Sequence, residues 1–196
     1  MRKYLIGSVI LLTSAFTTHA ETLKLKLPKP CFSCDVYIDP NFVNLEKPNY
    51  KPRPKFEVPS GTTNVALNKK VTSSNFDPSQ YSTQEEIKTP NKEITFGKLK
   101  YLTDGEKGYE TKNVLGLAKG LQWVQIDLGQ KCELYALALW HYHECERIYF
   151  DVIIRVADDP NFSQNVRDVF NNDHDNSSKL GKGKDKNYIE SYKSRL

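Results

Sequence analysis

Beyond residue 16 the chain has no long apolar run, and its 196 residues hold only four cysteines and four histidines. No internal repeat is visible. A membrane-spanning helix takes about 20 consecutive apolar residues, and the run from Tyr4 to Phe16 is shorter, so a stable membrane span is not expected. There is no nucleophile elbow, no Ser-His-Asp order and no phosphate loop, which removes the motif-based routes to hydrolases and nucleotide enzymes. No acid pair sits at two strand ends facing a cleft, as glycoside cleavage requires. The formal charge of +4 is small. It argues neither for nor against an anionic partner. The basic end (Lys179, Lys182, Lys184, Lys186, Lys193, Arg195) is interrupted by Asp185 and Glu190, so nucleic acid is not expected.

What is present begins with an address. Arg2 and Lys3 precede the apolar run, and Thr18-His19-Ala20 supplies small residues before Glu21. This pattern predicts a secretory signal peptide over residues 1–20, cut after Ala20. The exported chain would carry a charge of +2 once Arg2 and Lys3 are gone. A secreted, periplasmic or cell-surface location follows.

Cys31, Cys34, Cys132 and Cys145 form an even set, which in an exported protein suggests disulfides. An extended strand between Cys132 and Cys145 would hold them about 40 Å apart, whereas a disulfide needs Cα atoms within about 7 Å. Cys31 and Cys34 span at most about 11 Å, so they cannot reach both ends of that strand. At most one bridge is expected: Cys31 to Cys34, or one of these to Cys132 or Cys145. Cys31-Phe-Ser-Cys34 lacks the βαβ setting of a redox motif and a second cysteine pair for zinc.

Seven of the ten prolines fall between Glu21 and Ser60. Proline fixes φ and removes a donor, so a regular ladder or helix is not expected there. Residues 21–62 read as a Pro-rich extended arm, either lying over the domain or acting as a disordered spacer. Val65, Leu67 and Val71 predict a first strand, and residues 75–100 a long loop with one helical turn near Thr83 to Ile87. Gln122-Trp-Val-Gln-Ile-Asp-Leu-Gly129 alternates at period 2 and stops at a glycine, the pattern of a half-buried strand. Glu133 to His143 and Tyr149 to Ala157 predict two more strands. Together the three read as the centre of an antiparallel sheet. Asp159-Pro160, with Phe162, Val166 and Phe170 every four residues, predicts a short helix. Residues 171–178 read as a solvated polar turn, with a second cation or a sugar as the sharper alternative.

Taken in order, Asn64-Val-Ala-Leu-Asn-Lys, Leu102-Thr-Asp-Gly-Glu106, Trp123-Val-Gln-Ile-Asp-Leu-Gly129 and Phe150-Asp-Val-Ile-Ile-Arg-Val-Ala-Asp-Asp159 resemble the coagulation factor 5/8 type C, or discoidin, domain of the galactose-binding-like superfamily. The likeness runs from about Thr63 to Tyr192 and assigns residues 63–196 to one domain. It implies an all-β fold, an antiparallel jelly-roll β-sandwich, which agrees with the strand pattern. It also implies binding of carbohydrate or lipid head groups by loops at one rim, and a structural Ca²⁺. By position the cation would fall to Asp104, Glu106 and Thr111, in a turn whose oxygens suit a hard cation; Asp104-Gly105 is equally a plain turn signal. Relatives add a carboxylate from a closing strand near the C-terminus, and the chain stops at Leu196 before such a strand. The expectation is therefore a truncated sandwich lacking one strand and one cation ligand, poorly soluble or dependent on another chain.

A sugar binder needs an aromatic plane and planar hydrogen-bonding groups beside it. Arg147, His143, Tyr142 and Asn75 are the ligand candidates, while Trp140 is favoured as core. His141 and His143 stand two apart on one strand face, a metal-type spacing whose third ligand could come only from His174 or an Asp of 173–175. The sequence thus predicts a non-catalytic, exported carbohydrate-binding module with a glycan or cell-surface ligand. The second reading is a protein-interaction sandwich with no sugar site.

Overall fold

The structure, a computed structural model, describes residues 5–13, 19–25, 44–47, 54–74, 97–110, 113–117, 120–144 and 147–190. Asn75, Thr111, Cys31, Cys34, Cys145 and the helical turn near Thr83 lie outside them. The described residues are strands and turns, with a 3₁₀ turn at Leu99–Leu102. The all-β expectation holds, and no helix among these residues is long and apolar enough to cross a membrane.

The strands are β1 (Leu5–Thr13), β2 (Ala20–Thr22), β3 (Glu57–Pro59), β4 (Thr63–Asn64), β5 (Lys70–Ser73), β6 (Leu115–Gly116), β7 (Val124–Asp127), β8 (Ala136–His141), β9 (Arg147–Tyr149), β10 (Ile153–Val156), β11 (Arg167–Asn171) and β12 (Tyr188–Glu190). They fall into two compact units, Met1–Lys29 with Pro54–Tyr142, and Pro30–Arg53 with His143–Leu196.

In the first unit β1 is the hub. It pairs antiparallel with β8 over Ile6 to Leu12, with β4 at Leu12 and Thr13, and with β6 at Leu5 and Ile6. Leu12 has both Ala136 and Asn64 as partners, and Ile6 has both His141 and Leu115. A strand residue takes one partner per edge, so β8 lies along one edge of β1 while β4 and β6 share the other. A separate ladder joins β5 to β7, with Val71 opposite Ile126 and Lys70 opposite Asp127. Opposite charges facing each other across a ladder add modest support. Leu102, Leu115 and Leu117 form the apolar core, with Val71, Leu99 and Val124 packed on it.

The second unit contains two ladders, β10–β11 and β9–β12. Tyr188 stacks on Tyr149 at 6.0 Å and meets the Phe170 ring edge-on at 5.6 Å. Leu45 bridges to Asn187, with Asn187 N–H donating to Asn44 O (2.9 Å) and Glu46 N–H to Asn187 O (2.8 Å).

Several expectations are corrected. β7, β8 and the 149–157 segment do not pair with one another: β7 takes β5, β8 takes β1, and the last segment is two strands with different partners. The break falls at Asp151, whose φ of 55° is left-handed and leaves the ladder geometry. No helix forms over 160–170. Asp159 accepts hydrogen bonds from the N–H groups of Asn161, Ser163 and Gln164 and from the Ser163 hydroxyl. That carboxylate closes a loop in which Phe162 is left-handed (φ 53°) and exposed, and Phe170 joins β11 instead. Of the first predicted strand, Val71 to Ser73 lie in β5, while residues 65–68 form a turn between β4 and β5. The arm does build a ladder at its ends, β2 with β3, because Glu21, Thr22, Glu57 and Val58 lie clear of the prolines and only Pro59 closes the strand. Cys132 is a free thiol, which removes it from the candidate bridges.

Candidate functional site

The second unit hides polar groups where a small domain usually hides apolar ones. Asn171, Asn172, Asp173, Ser178 and Asn187 are buried, Asp173 with no exposed surface at all. Burial of this kind is tolerated only when the polar atoms are hydrogen-bonded. Asn172 satisfies both ends of its amide: Oδ1 accepts from Val152 N–H (2.6 Å) and Nδ2 donates to Tyr149 O (2.9 Å). Asn171 Oδ1 accepts from Asp173 N–H, and its Nδ2 donates to Gly181 O. Asp173 takes the N–H groups of Ser177 and Ser178, at 3.0 Å each. Asp185 accepts from Asn171 N–H, and Asn176 from Gly181 N–H. The expected solvated turn is instead an internally braced loop. The Asx and Ser side chains replace the ladder that the backbone lacks.

Gly183 marks its tightest point. Its N–H donates to Asp173 O at 2.7 Å, and a Cβ there would overlap the Asn171 carbonyl and side-chain oxygen. Glycine is needed for the close approach of two backbones.

One carboxylate oxygen each from Asp151, Asp173 and Asp175 lie within 4.8 Å of one another. For Asp173 burial pushes the pKa upward, but hydrogen bonds from Ser178, contact with the Asp175 carboxyl and the Ser177 N–H outweigh it and hold the group down at about 2. Asp159 is likewise lowered: desolvation opposes the shift, and the N–H groups of Gln164, Ser163 and Asn161 overcome it. Both acids therefore stay ionised at neutral pH. General acid–base work favours pKa values near the working pH, and these two move away from it.

Of the sequence-predicted ligand residues, Asn75 lies outside the described residues. Arg147 is exposed at the start of β9, and His143 is half-buried; both belong to the second unit. Tyr142 is half-buried in the first unit. His141 is buried at the end of β8. The three-carboxylate group contains neither His141 nor His143. Asp104 Oδ1 accepts from Glu106 N–H at 2.9 Å, an Asx turn, with Gly105 left-handed at φ 88°. Lys107 Nζ donates to Gly105 O at 3.0 Å and stands 5.5 Å from the Trp140 ring centroid. A built-in ammonium thus rests on a carbonyl of the turn assigned to the cation, and the described part of that turn fits a divalent ion poorly. Trp140 is half-buried under this contact, not sealed in the core.

Sequence reasoning passed over Trp123. Its side chain is 51 % exposed, yet its backbone is fixed on both sides by Ser74. Trp123 N–H donates to Ser74 Oγ (2.9 Å), and Ser74 N–H donates to Trp123 O (3.0 Å). Ser74 Oγ in turn donates to Gln122 Oε1 at 2.7 Å. The signal was the tryptophan itself, sitting on the polar parity of an alternating strand.

No protein-family model matches the chain, and no match emerges from comparison with curated proteins or with solved structures.

Proposed function

We propose that the chain is an exported, non-catalytic carbohydrate-recognition module of discoidin-like jelly-roll build. The observation that carries this reading is Trp123: a large aromatic face turned to solvent on a backbone that Ser74 holds still, beside an amide side chain. A pyranose presents an apolar face that stacks on such a plane while its hydroxyls meet planar polar groups. Because the platform is already fixed, little ordering is lost when a ligand settles on it. Arg147 and His143, in the second unit, and Tyr142, in the first, stay as further ligand candidates.

A glycan array followed by calorimetric titration with simple galactosides tests the proposal. We expect saturable binding that Trp123→Ala weakens at least tenfold while circular dichroism is unchanged. A folded protein that binds no sugar overturns the proposal and favours a protein-interaction sandwich. A structural Ca²⁺ held by Asp104, Glu106 and Thr111 belongs to the proposal only if it displaces the Lys107 ammonium. A thermal midpoint that rises with Ca²⁺, and rises further in Lys107→Ala, would establish it.

A further inference from the structure

The segment that closes the braced loop of the second unit treats its two parities unequally. From Lys182 to Asn187 the odd positions are tied to the unit: Gly183 N–H donates to Asp173 O (2.7 Å), Asp185 N–H to Asn171 O (2.9 Å) and Asn187 N–H to Asn44 O (2.9 Å). The Asp185 carboxylate accepts from Asn171 N–H at 2.6 Å, and Asn187 is buried. The even positions, Lys182, Lys184 and Lys186, are all exposed. Neighbouring residues of an extended backbone face opposite ways, and the bend at Asp185 does not interrupt this alternation. Residues two apart are separated by at most about 7 Å, so the three lysines form one short row. None has an ion-pair partner among the described residues. By its letters Asp185 breaks the row, but in the fold its carboxylate is committed to the loop.

We propose that this row is a binding site for a linear acidic glycan, one bearing sulfate or carboxylate groups along its length. Charge complementarity carries the inference. Like charges held side by side repel, and an anionic polymer laid along them turns that repulsion into attraction while it releases its own counterions. Lysine suits such a ligand, because its ammonium is a point charge on a flexible stem and demands no single planar geometry of the anion. A single-stranded nucleic acid would also need aromatic planes for its bases. The next residue on the outward parity, Tyr188, stacks on Tyr149 and meets the Phe170 ring edge-on, so its ring is engaged within the unit. The row offers charge without a stacking plane, which fits an acidic sugar chain better than a nucleic acid. That the polymer is a sugar rests on the carbohydrate reading above; the geometry of the row does not.

The full chain is titrated by calorimetry with a heparin hexasaccharide, hexagalacturonate, neutral maltohexaose and an oligothymidylate of matching charge; the first two separate sulfate from carboxylate. Expected is saturable binding of at least one acidic hexasaccharide, tighter than that of maltohexaose or oligothymidylate. Its affinity should fall about tenfold between about 50 and 150 mM salt, as three neutralised charges imply. Replacing Lys182, Lys184 and Lys186 together by Gln should weaken it at least tenfold with circular dichroism unchanged. The same replacement of Lys55, Lys98 and Lys100, exposed lysines of the first unit, removes equal charge and should leave it nearly unchanged. Equal losses in the two triple variants would mark general charge attraction and overturn the inference, as would an oligothymidylate that binds more tightly than either acidic glycan. Galactoside binding that Trp123→Ala weakens, with both acidic hexasaccharides unbound, overturns the row alone. Acidic-glycan binding that Trp123→Ala leaves intact, in a chain that binds no galactoside, supports the row and overturns the Trp123 platform. No binding of any sugar overturns both.

Discussion

Asp173 shows how one carboxylate comes to organise a loop. Its pKa is lowered from 3.8 to about 2 in the folded chain, so the ionised form is the one that folding favours. Stability drawn from it is fully present above the unfolded pKa and is lost as pH falls through the folded one, between about pH 4 and pH 2. Replacing Asp173 with Asn should lower the thermal midpoint at pH 7 and flatten its fall over that acid window, as pH-dependent melts would show. A variant that melts in parallel with the parent at every pH would contradict the assignment. Gly183→Ala should cost about 1–3 kcal/mol, the usual range for overfilling a packed site, because the Asn171 carbonyl cannot move without breaking its bond from Asp185 N–H. Denaturant melts of the variant measure this directly. Neither role was legible beforehand. The sequence showed Asn and Asp in abundance, but such residues brace a buried loop or decorate a solvated one with the same letters.

At the level of the element, the sequence was clearest where alternation and burial agree. β7 lies inside the predicted 122–129 strand and β8 inside 133–143, since Val124, Ile126 and the Leu/Ala/Trp run need one covered face or two. Pairing was not legible, because period 2 says which residues share a face and nothing about which strand lies alongside. The 149–157 segment looked like one strand because Phe150-Asp151-Val152 contains no glycine or proline to announce a left-handed break. The helix expected at 160–170 failed because Asp159 turns the chain back on its own N–H groups, and a four-residue apolar spacing alone does not outweigh that. β6 offers the sharpest test of the apolar core. Leu115→Ala empties a fully buried position beside Leu102 and Leu117 and should destabilise by about 2–5 kcal/mol, read as a shift in denaturant midpoint. On β11, Asp168 binds Arg155 at 2.6 Å with both side chains partly in water, so Asp168→Ala should cost no more than about 1 kcal/mol.

On the scale of the whole molecule, two units with unlike interiors share one chain. The first is centred on leucines, and the second on asparagines, an aspartate and two stacked tyrosines. The jelly-roll closure implied by family likeness is a matter of strand order across the molecule. The short ladders agree with an all-β fold and leave that order to the proposal. The polar interior of the second unit has a calorimetric consequence. Exposing apolar surface raises heat capacity on unfolding, and exposing polar surface lowers it. The melting of that unit should therefore show a smaller heat-capacity step per residue than the first, and a flatter dependence of stability on temperature. Chilling, which weakens leucine-rich interiors, should leave the asparagine-braced loop comparatively untouched.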